Sequence, residues 1–373
     1  MTSAEMPALF QPIRVGNLAL SHRVILAPLT RTRAYKDHVP GPQAATYYAQ
    51  RGSTPGTLLI TEATSIAPQA GGLPNIPGIW NEAQVAGWKE VTDSVHAKGS
   101  YIFLQIWAMG RAADVRALAA DGDFPLIAPS PIAIREHITG GGGMPRALTI
   151  PEIQEYIELF AEAAKNAMKA GFDGVEVHGA NGFLIDQFVQ DVSNIRDDEY
   201  GGSVENRCKF ALEVVDAVVQ AIGASRTSFR MSPWSEFQNM GMRDPVPTYT
   251  YLTTKLAERG LAYLHVVEPR GSSDAAEDPT SSDASDFIRQ IWGDRPYIAA
   301  GGFKRALSIR EAEEKGGLIA FGRLFISNPD LPYRLQNDMP LTPPDRSKFY
   351  LMGNHSPLGY TDWPFADDER REV

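Results

Sequence analysis

The sequence predicts an α/β fold, a single parallel (β/α)8 TIM barrel formed by residues 1–373, and three observations carry that expectation. Short β-branched runs alternate with longer amphipathic ones, the strand-like runs number eight, and no Pro/Gly/Ser linker or charge run divides them. A length of 373 residues suits either one large barrel or two ordinary domains. The unbroken alternation selects the barrel.

Taken in order, "IRVGNLALSHR" reads as two short strands around Gly16-Asn17, an N-terminal β-hairpin that would plug the barrel floor. The strand runs follow: "VILAPLTR" from Val24, "TLLITEATSI" from Thr57, "YIFLQIWA" from Tyr101, "GVEVHGAN" from Gly174, "SFRMSP" from Ser228, "YLHVVEP" from Tyr263, "YIAAGG" from Tyr297 and "LIAFGRLFI" from Leu318. After the third run, residues 109–150 form a long excursion containing "TGGGGMPRAL", whose four successive glycines favour a mobile loop. The segment 151–170 is a crossover helix, because Ile153, Ile157, Phe160, Ala164 and Ala167 fall on one face. Thr149 and Glu152 have capping-box spacing at its start, Pro151 sits in the first turn, and Gly171 follows its end. Residues 271–286, "GSSDAAEDPTSSDASD", are small, polar and acidic, and suit equally a lid over the barrel mouth and surface disorder.

Charge and composition narrow the partners. The net charge is −10 with no Lys/Arg block, which argues against nucleic acid and against anionic membrane surfaces, and leaves small molecules. The N-terminus has no basic segment followed by an apolar core, and no apolar run approaches the roughly 18 residues of a membrane span. A soluble, cytoplasmic protein, monomer or homodimer, is expected. Cys208 is the only cysteine, so an internal disulfide and a cysteine-rich metal site are excluded, no metal is expected, and Cys208 reads as an inert thiol inside a helix.

Barrels of this kind carry their chemistry at the C-terminal ends of the strands. Those ends supply Thr30, Glu62 with Ala63, Gln105 with Trp107, His178 with Asn181, Arg230, Glu268, Gly301-Gly302 and Gly322-Arg323. Each alone has an ordinary structural explanation, Gln105 as a satisfied core amide and Arg230 as an ion-pair partner among them. Together they match one ligand. Gly301-Gly302 and Gly322-Arg323 end the seventh and eighth strands, where backbone N–H groups and a planar guanidinium bind phosphate. A cofactor anchored there crosses the mouth over Thr30, Ala63, Gln105 and Arg230. A flavin ring calls for such a hydroxyl, amide and cation. In "HGANGFLIDQF" at 178–188, a His and an Asn three residues apart can point two N–H donors at one carbonyl oxygen, which stabilises an enolate.

These segments resemble the old yellow enzymes, the FMN-dependent ene-reductase family, over nearly the whole chain. The resemblance rests on "APLTRTRA" at 27–34, "LLITEAT" at 58–64, "QIW" at 105–107, "HGANGFLIDQF", "DEYGGSVENR" at 198–207, "RMSP" at 230–233 and "FGRLFISNPDL" at 321–331. It implies FMN contacts at Pro28, Leu29, Thr30, Ala63, Gln105, His178, Arg230, Gly301, Gly302, Gly322, Arg323 and Phe349, with NADPH as reductant. The seventh strand ends Gly-Gly where many members have Gly-Asn. It further implies that His178 and Asn181 bind the substrate carbonyl while Thr30 tunes the flavin. The implied pocket lining is Leu73, Trp107, Phe183, Phe349 and Tyr350, which suits a bulky enal.

One position departs from the family. Most members carry a tyrosine two residues beyond the asparagine, which protonates the substrate α-carbon; here that residue is Phe183. Without that acid the enolate persists, its former double bond rotates, and returning the hydride gives an isomerised alkene with no net redox change. The phrases "PGTLLITEAT" and "AFGRLFISNPDLP" resemble the fungal ergot-alkaloid branch acting on chanoclavine-I aldehyde, where phenylalanine at this site goes with isomerisation and subsequent iminium cyclisation. Ene-reduction with Tyr350 or water as acid is the alternative. A retaining glycosidase using Glu176 and Glu268 would leave Gln105, Arg230 and Gly322-Arg323 without a role. A non-catalytic flavin-binding barrel would leave the His/Asn pair without one.

Overall fold

The computed structural model describes residues 6–137, 139–269 and 283–366. Strands β1 (Val24–Leu26), β2 (Leu58–Ile60), β3 (Tyr101–Trp107), β4 (Gly174–Gly179), β5 (Thr227–Met231), β6 (Leu264–Val267), β7 (Tyr297–Ala300) and β8 (Leu318–Phe321) form one parallel sheet in the order β2-β1-β8-β7-β6-β5-β4-β3. Leu58, Leu59 and Ile60 pair back onto Tyr101, Ile102 and Phe103, which closes the barrel. Parallel neighbours require a crossover between them. These are α1 (Pro42–Arg51), α2 (Glu82–His96), α3 (Ile150–Lys169), α4 (Val204–Ile222), α5 (Val246–Ala257), α6 (Asp286–Trp292) and α7 (Arg305–Glu314), with α8 (Leu331–Gln336) after β8.

Alternation along each strand sorts side chains onto two faces. Val24, Leu26, Leu59, Ile102, Leu104, Val175, Val177, Phe229, Leu264, Val266 and Ile319 point outward into the helix layer. Ile25, Leu58, Ile60, Phe103, Ile298 and Leu318 point inward, where Val15 and Leu20 of the hairpin Ile13–Val15/Leu18–Leu20 close the floor beneath them. The mouth at the other end is left for polar groups. Helix α3 begins with the expected capping box of Thr149 and Glu152 and buries Ile153, Ile157, Phe160, Ala164 and Ala167. Truncating Phe160 would cost about 3–5 kcal/mol.

Local departures from the sequence reading have physical causes. The ladder of β1 stops one bond after Leu26, with Ala27 N–H on the Phe321 carbonyl, because Pro28 has no N–H to continue it. The second strand run breaks after Ile60 and resumes at Thr64–Ser65, so Glu62 and Ala63 sit in the interruption. The excursion 109–150 contains the helix Val115–Gly122 and a parallel two-residue ladder between Ile127–Ala128 and Arg146–Ala147. The glycine run is tied down by Val115 N–H on the Gly141 carbonyl at 2.8 Å. Of the acidic stretch 271–286, residues 271–282 lie outside the described residues, while Asp283–Ser285 is a single helical turn leading into α6. Among the described residues no helix is long and apolar enough to cross a membrane.

Candidate active site

The end of β4 presents a histidine and an asparagine with free donors. His178 is buried, and the Ala180 N–H donates to its Nδ1 at 3.2 Å, which leaves the imidazole proton on Nε2. Burial, the Arg230 guanidinium and His265 together hold its pKa well below the usual histidine value, so the ring stays neutral. Asn181 follows in the left-handed region at φ 56°, with Gly182 at φ 75°. Four hydrogen bonds clamp this turn: Asn181 N–H to Ser232 Oγ at 2.7 Å, Gln238 Nε2 to the Asn181 carbonyl at 2.8 Å, Gly182 N–H to Asp186 Oδ2 at 2.8 Å, and Gln187 Nε2 to the Gly182 carbonyl at 2.7 Å. A Cβ on Gly182 would come within 2.9 Å of Gln238 Cβ, so the clamp requires glycine there. Asp186 is fully buried, which pushes its carboxyl up to about 6. Neither the His178 Nε2 nor the Asn181 carboxamide bonds another described residue. Both remain for a ligand.

An apolar wall faces these donors. The Phe183 ring lies 4.3 Å from Trp107 and 5.0 Å from His178, both edge-on, and Trp107 stacks on His178 at 5.9 Å. Ala63, Ile76, Met109, Ala112 and Leu73 belong to the same cluster. Among the described residues the rings that touch Phe183 are those of Trp107 and the neutral His178. Tyr350, expected in the lining, is 61% exposed, and its ring contact is with Phe349 at 6.3 Å. Arg31 holds the Lys348 and Phe349 carbonyls, the Phe349 side chain turns inward, and Tyr350 is left at the surface.

The remaining expected residues gather around the same mouth. Pro28, Leu29 and Thr30 follow β1, Ala63 lies in the break of the second strand run, and Gln105 and Arg230 rise buried from β3 and β5. Gly301-Gly302 follows β7 and Gly322-Arg323 follows β8. Gly302 takes φ 87°, and a Cβ there would lie 3.6 Å from Arg323 Nη2, so the two strand ends converge into one cradle. A Cβ on Gly322 would sit 3.1 Å from Leu29, which joins that cradle to the β1 end. Backbone and guanidinium donors at one end, with a buried amide and a buried guanidinium at the other, fit the phosphate and ring edges of FMN. Among the described residues no cluster of three His, Cys, Asp or Glu side chains is placed to hold a metal ion.

Sequence reasoning missed the hydrogen bonds that hold Glu176 and an arginine strap over the C-terminal segment. Glu176 accepts hydrogen bonds from Gln105 Nε2 at 2.7 Å and His265 Nδ1 at 2.8 Å, and the Arg230 charge also acts on it. Arg31 and Arg33 of "LTRTRA" strap the C-terminal segment across the barrel: Arg31 reaches the carbonyls of Lys348, Phe349 and Gly359, and Arg33 those of Asn354, Ser356 and Leu358. Stacking of Tyr47 on Tyr360 at 4.2 Å closes the strap. Two arginines directly after a strand end were its only sequence signal. Glu176 in its hydrogen bonds, and Glu268 bonded by the Tyr297 hydroxyl at 2.8 Å, do not form the open carboxylate pair of a glycosidase.

Residues 8–342 match the family described as NADH:flavin oxidoreductase / NADH oxidase. A chanoclavine-I aldehyde reductase of Penicillium roqueforti is 50% identical over 99% of both chains. An NADP-dependent oxidoreductase of Aspergillus flavus is 49% identical over 97% of both. Among solved structures, morphinone reductase in complex with tetrahydroNAD superposes with a TM-score of 0.88 at 39% identity, over 97% of this chain and 99% of that one.

Proposed function

The chain belongs to the NADH:flavin oxidoreductase / NADH oxidase family, and from that premise we propose an FMN-dependent, NADPH-primed isomerase of a bulky α,β-unsaturated aldehyde of the chanoclavine-I aldehyde type. FMN belongs to the family; Pro28, Leu29, Thr30, Ala63, Gln105, Arg230, Gly301, Gly302, Gly322, Arg323 and Phe349 would hold it as one FMN-binding barrel. Bound and reduced, the flavin supplies a hydride for the alkene β-carbon and can take one back. The protein's part is to hold charge and to withhold a proton. His178 through Nε2–H and Asn181 through its amide donate to the aldehyde oxygen, which stabilises the enolate oxyanion. The neutrality of His178 suits this role, since it polarises the carbonyl without protonating it. Trp107, Leu73 and Ala63 would give the pocket an apolar lining.

The observation that carries the isomerase reading is Phe183, in ring contact with both His178 and Trp107 where the reductases of the resemblance place a phenol. With no acid there, the enolate lives long enough to rotate about its new single bond and surrender the hydride. The product is the rearranged aldehyde, which a secondary amine carried by the same substrate can condense with, taking up a proton and losing water, to give the cyclised iminium. A second reading, NADPH-dependent ene-reduction, is favoured by the 50% identical relative's name as a reductase. Water would then be the acid, because exposed Tyr350 does not share the Phe183 cluster. An anaerobic incubation separates the two. Isomerisation gives more rearranged product than NADPH oxidised, and ene-reduction gives one saturated product per NADPH.

A further inference from the structure

Beneath the groups expected at the flavin ring lies a buried carboxylate that the proposed chemistry does not use. Glu176 on β4 is register partner to Gln105 on β3, and His178, two residues on, is register partner to Arg230 on β5, which in turn faces His265 on β6. Four neighbouring strands thus place Gln105, Glu176, Arg230 and His265 on one inner wall. Glu176 is 0% exposed, and so is His265.

Hydrogen bonding assigns the charges. Glu176 Oε1 accepts from Gln105 Nε2 at 2.7 Å and Oε2 faces His265 Nδ1 at 2.8 Å, so Nδ1 carries the histidine proton. His265 Nε2 is buried with no hydrogen-bond partner among the described residues. A second proton there would be an unsatisfied buried donor, which keeps the imidazole neutral. A buried carboxylate must be compensated by a cation, and Arg230 supplies it. Its charge is therefore offset from below.

We infer that Glu176 is a positioning residue for the flavin pyrimidine edge, fixing the Gln105 amide and tempering the Arg230 charge. This rests on the FMN reading above. One consequence is geometric. With Nε2 committed to Glu176, Gln105 cannot flip, so its Oε1 and second N–H keep the order needed by the ring's N3–H and flanking carbonyl. The other is electrostatic. A cation near the flavin N1 favours the anionic reduced ring, and the carboxylate behind Arg230 restrains that effect, keeping the reduced cofactor a stronger hydride donor.

The test is the flavin midpoint potential, measured by dye equilibration in FMN-loaded protein. Glu176→Gln removes the charge but keeps the shape, and its potential is expected to move positive of wild type. Glu176→Asp keeps the charge, so its potential stays near wild type, while FMN binds several-fold more weakly because the shorter carboxylate releases Gln105. Equal potentials in wild type and Glu176→Gln, or equal shifts in both variants, would overturn the assignment. If Glu176→Gln does not fold, Glu176→Asp carries the test: wild-type affinity for FMN would overturn it. Wild-type protein that takes up no FMN would instead overturn the cofactor reading.

Discussion

Replacing Asn181 by alanine removes one of the two donors proposed for the substrate oxyanion and is expected to slow hydride transfer about 10²–10³-fold, the usual effect of losing one such donor, roughly 2.7–4 kcal/mol. The backbone complicates the comparison, since Asn181 sits at φ 56°, where alanine costs roughly 1–2 kcal/mol. That strain does not release the turn. The four hydrogen bonds from Ser232, Gln238, Asp186 and Gln187 contribute about 0.5–1.5 kcal/mol each, together more than the strain. Asn181→Gly accepts the same φ without strain and also lacks the amide, so it should be as slow as Asn181→Ala. The assay is the anaerobic reaction of pre-reduced protein with a saturating enal, followed at the flavin absorbance, alongside titration with a phenol. Recovery of wild-type rate in Asn181→Gly would trace the defect to strain. Wild-type rate in either variant would refute the two-donor oxyanion site.

Arg323→Ala should raise the Kd for FMN by the value of a charge-assisted phosphate contact, about 1.5–3 kcal/mol; unchanged affinity in a fluorescence titration would move the phosphate elsewhere. Burial pushes the Glu62 carboxyl up from 4.5 to about 7. The folded state thus holds this proton more tightly than the unfolded state, so the stability it contributes is present below pH 4.5 and is lost as pH rises through about 7. Glu62→Gln should flatten that decline in urea midpoints across the window, and an identical slope would contradict the assignment. Arg31→Met should lose its bonds to Lys348, Phe349 and Gly359 and destabilise the strap by at least about 2 kcal/mol. Limited proteolysis should then cut sooner between residues 349 and 360, and an unaltered pattern would argue against the strap.

The eight strands were legible because each is buried on both faces and so reads as a continuous β-branched run bounded by polar or glycine residues. Helix α3 was legible for a different reason, its cap and its apolar face being local in sequence. The donor pair His178 and Asn181 was visible because both residues lie in one turn, and Phe183 because a resemblance supplied the expected phenol. The excursion's helix Val115–Gly122 was hidden by glycines that suggested a loop; its Asp114 cap, accepting from the Arg116 N–H, is a short signal. Gln238 and Ser232, which hold Asn181 from over 50 residues away, leave no pattern in a sequence, since a tertiary contact has no period. Which of the neighbours Phe349 and Tyr350 turns inward is unreadable for a related reason, since adjacency says nothing about it and Arg31 holds the segment from far away in sequence.

The central claim is that Phe183 makes this site an isomerase by lacking one oxygen, and Phe183→Tyr tests it most directly. The variant restores a phenol of ordinary pKa near 10 beside His178, able to protonate the α-carbon before the enolate rotates. NADPH oxidised is measured anaerobically against products resolved by mass, for both proteins. Phe183→Tyr should consume one NADPH per saturated aldehyde, and adding Tyr350→Phe should change nothing. Wild-type protein should form more rearranged aldehyde or iminium than the NADPH it oxidises. Wild-type protein that already yields saturated aldehyde at one NADPH per turnover would contradict the claim and leave a reductase that takes its proton from water.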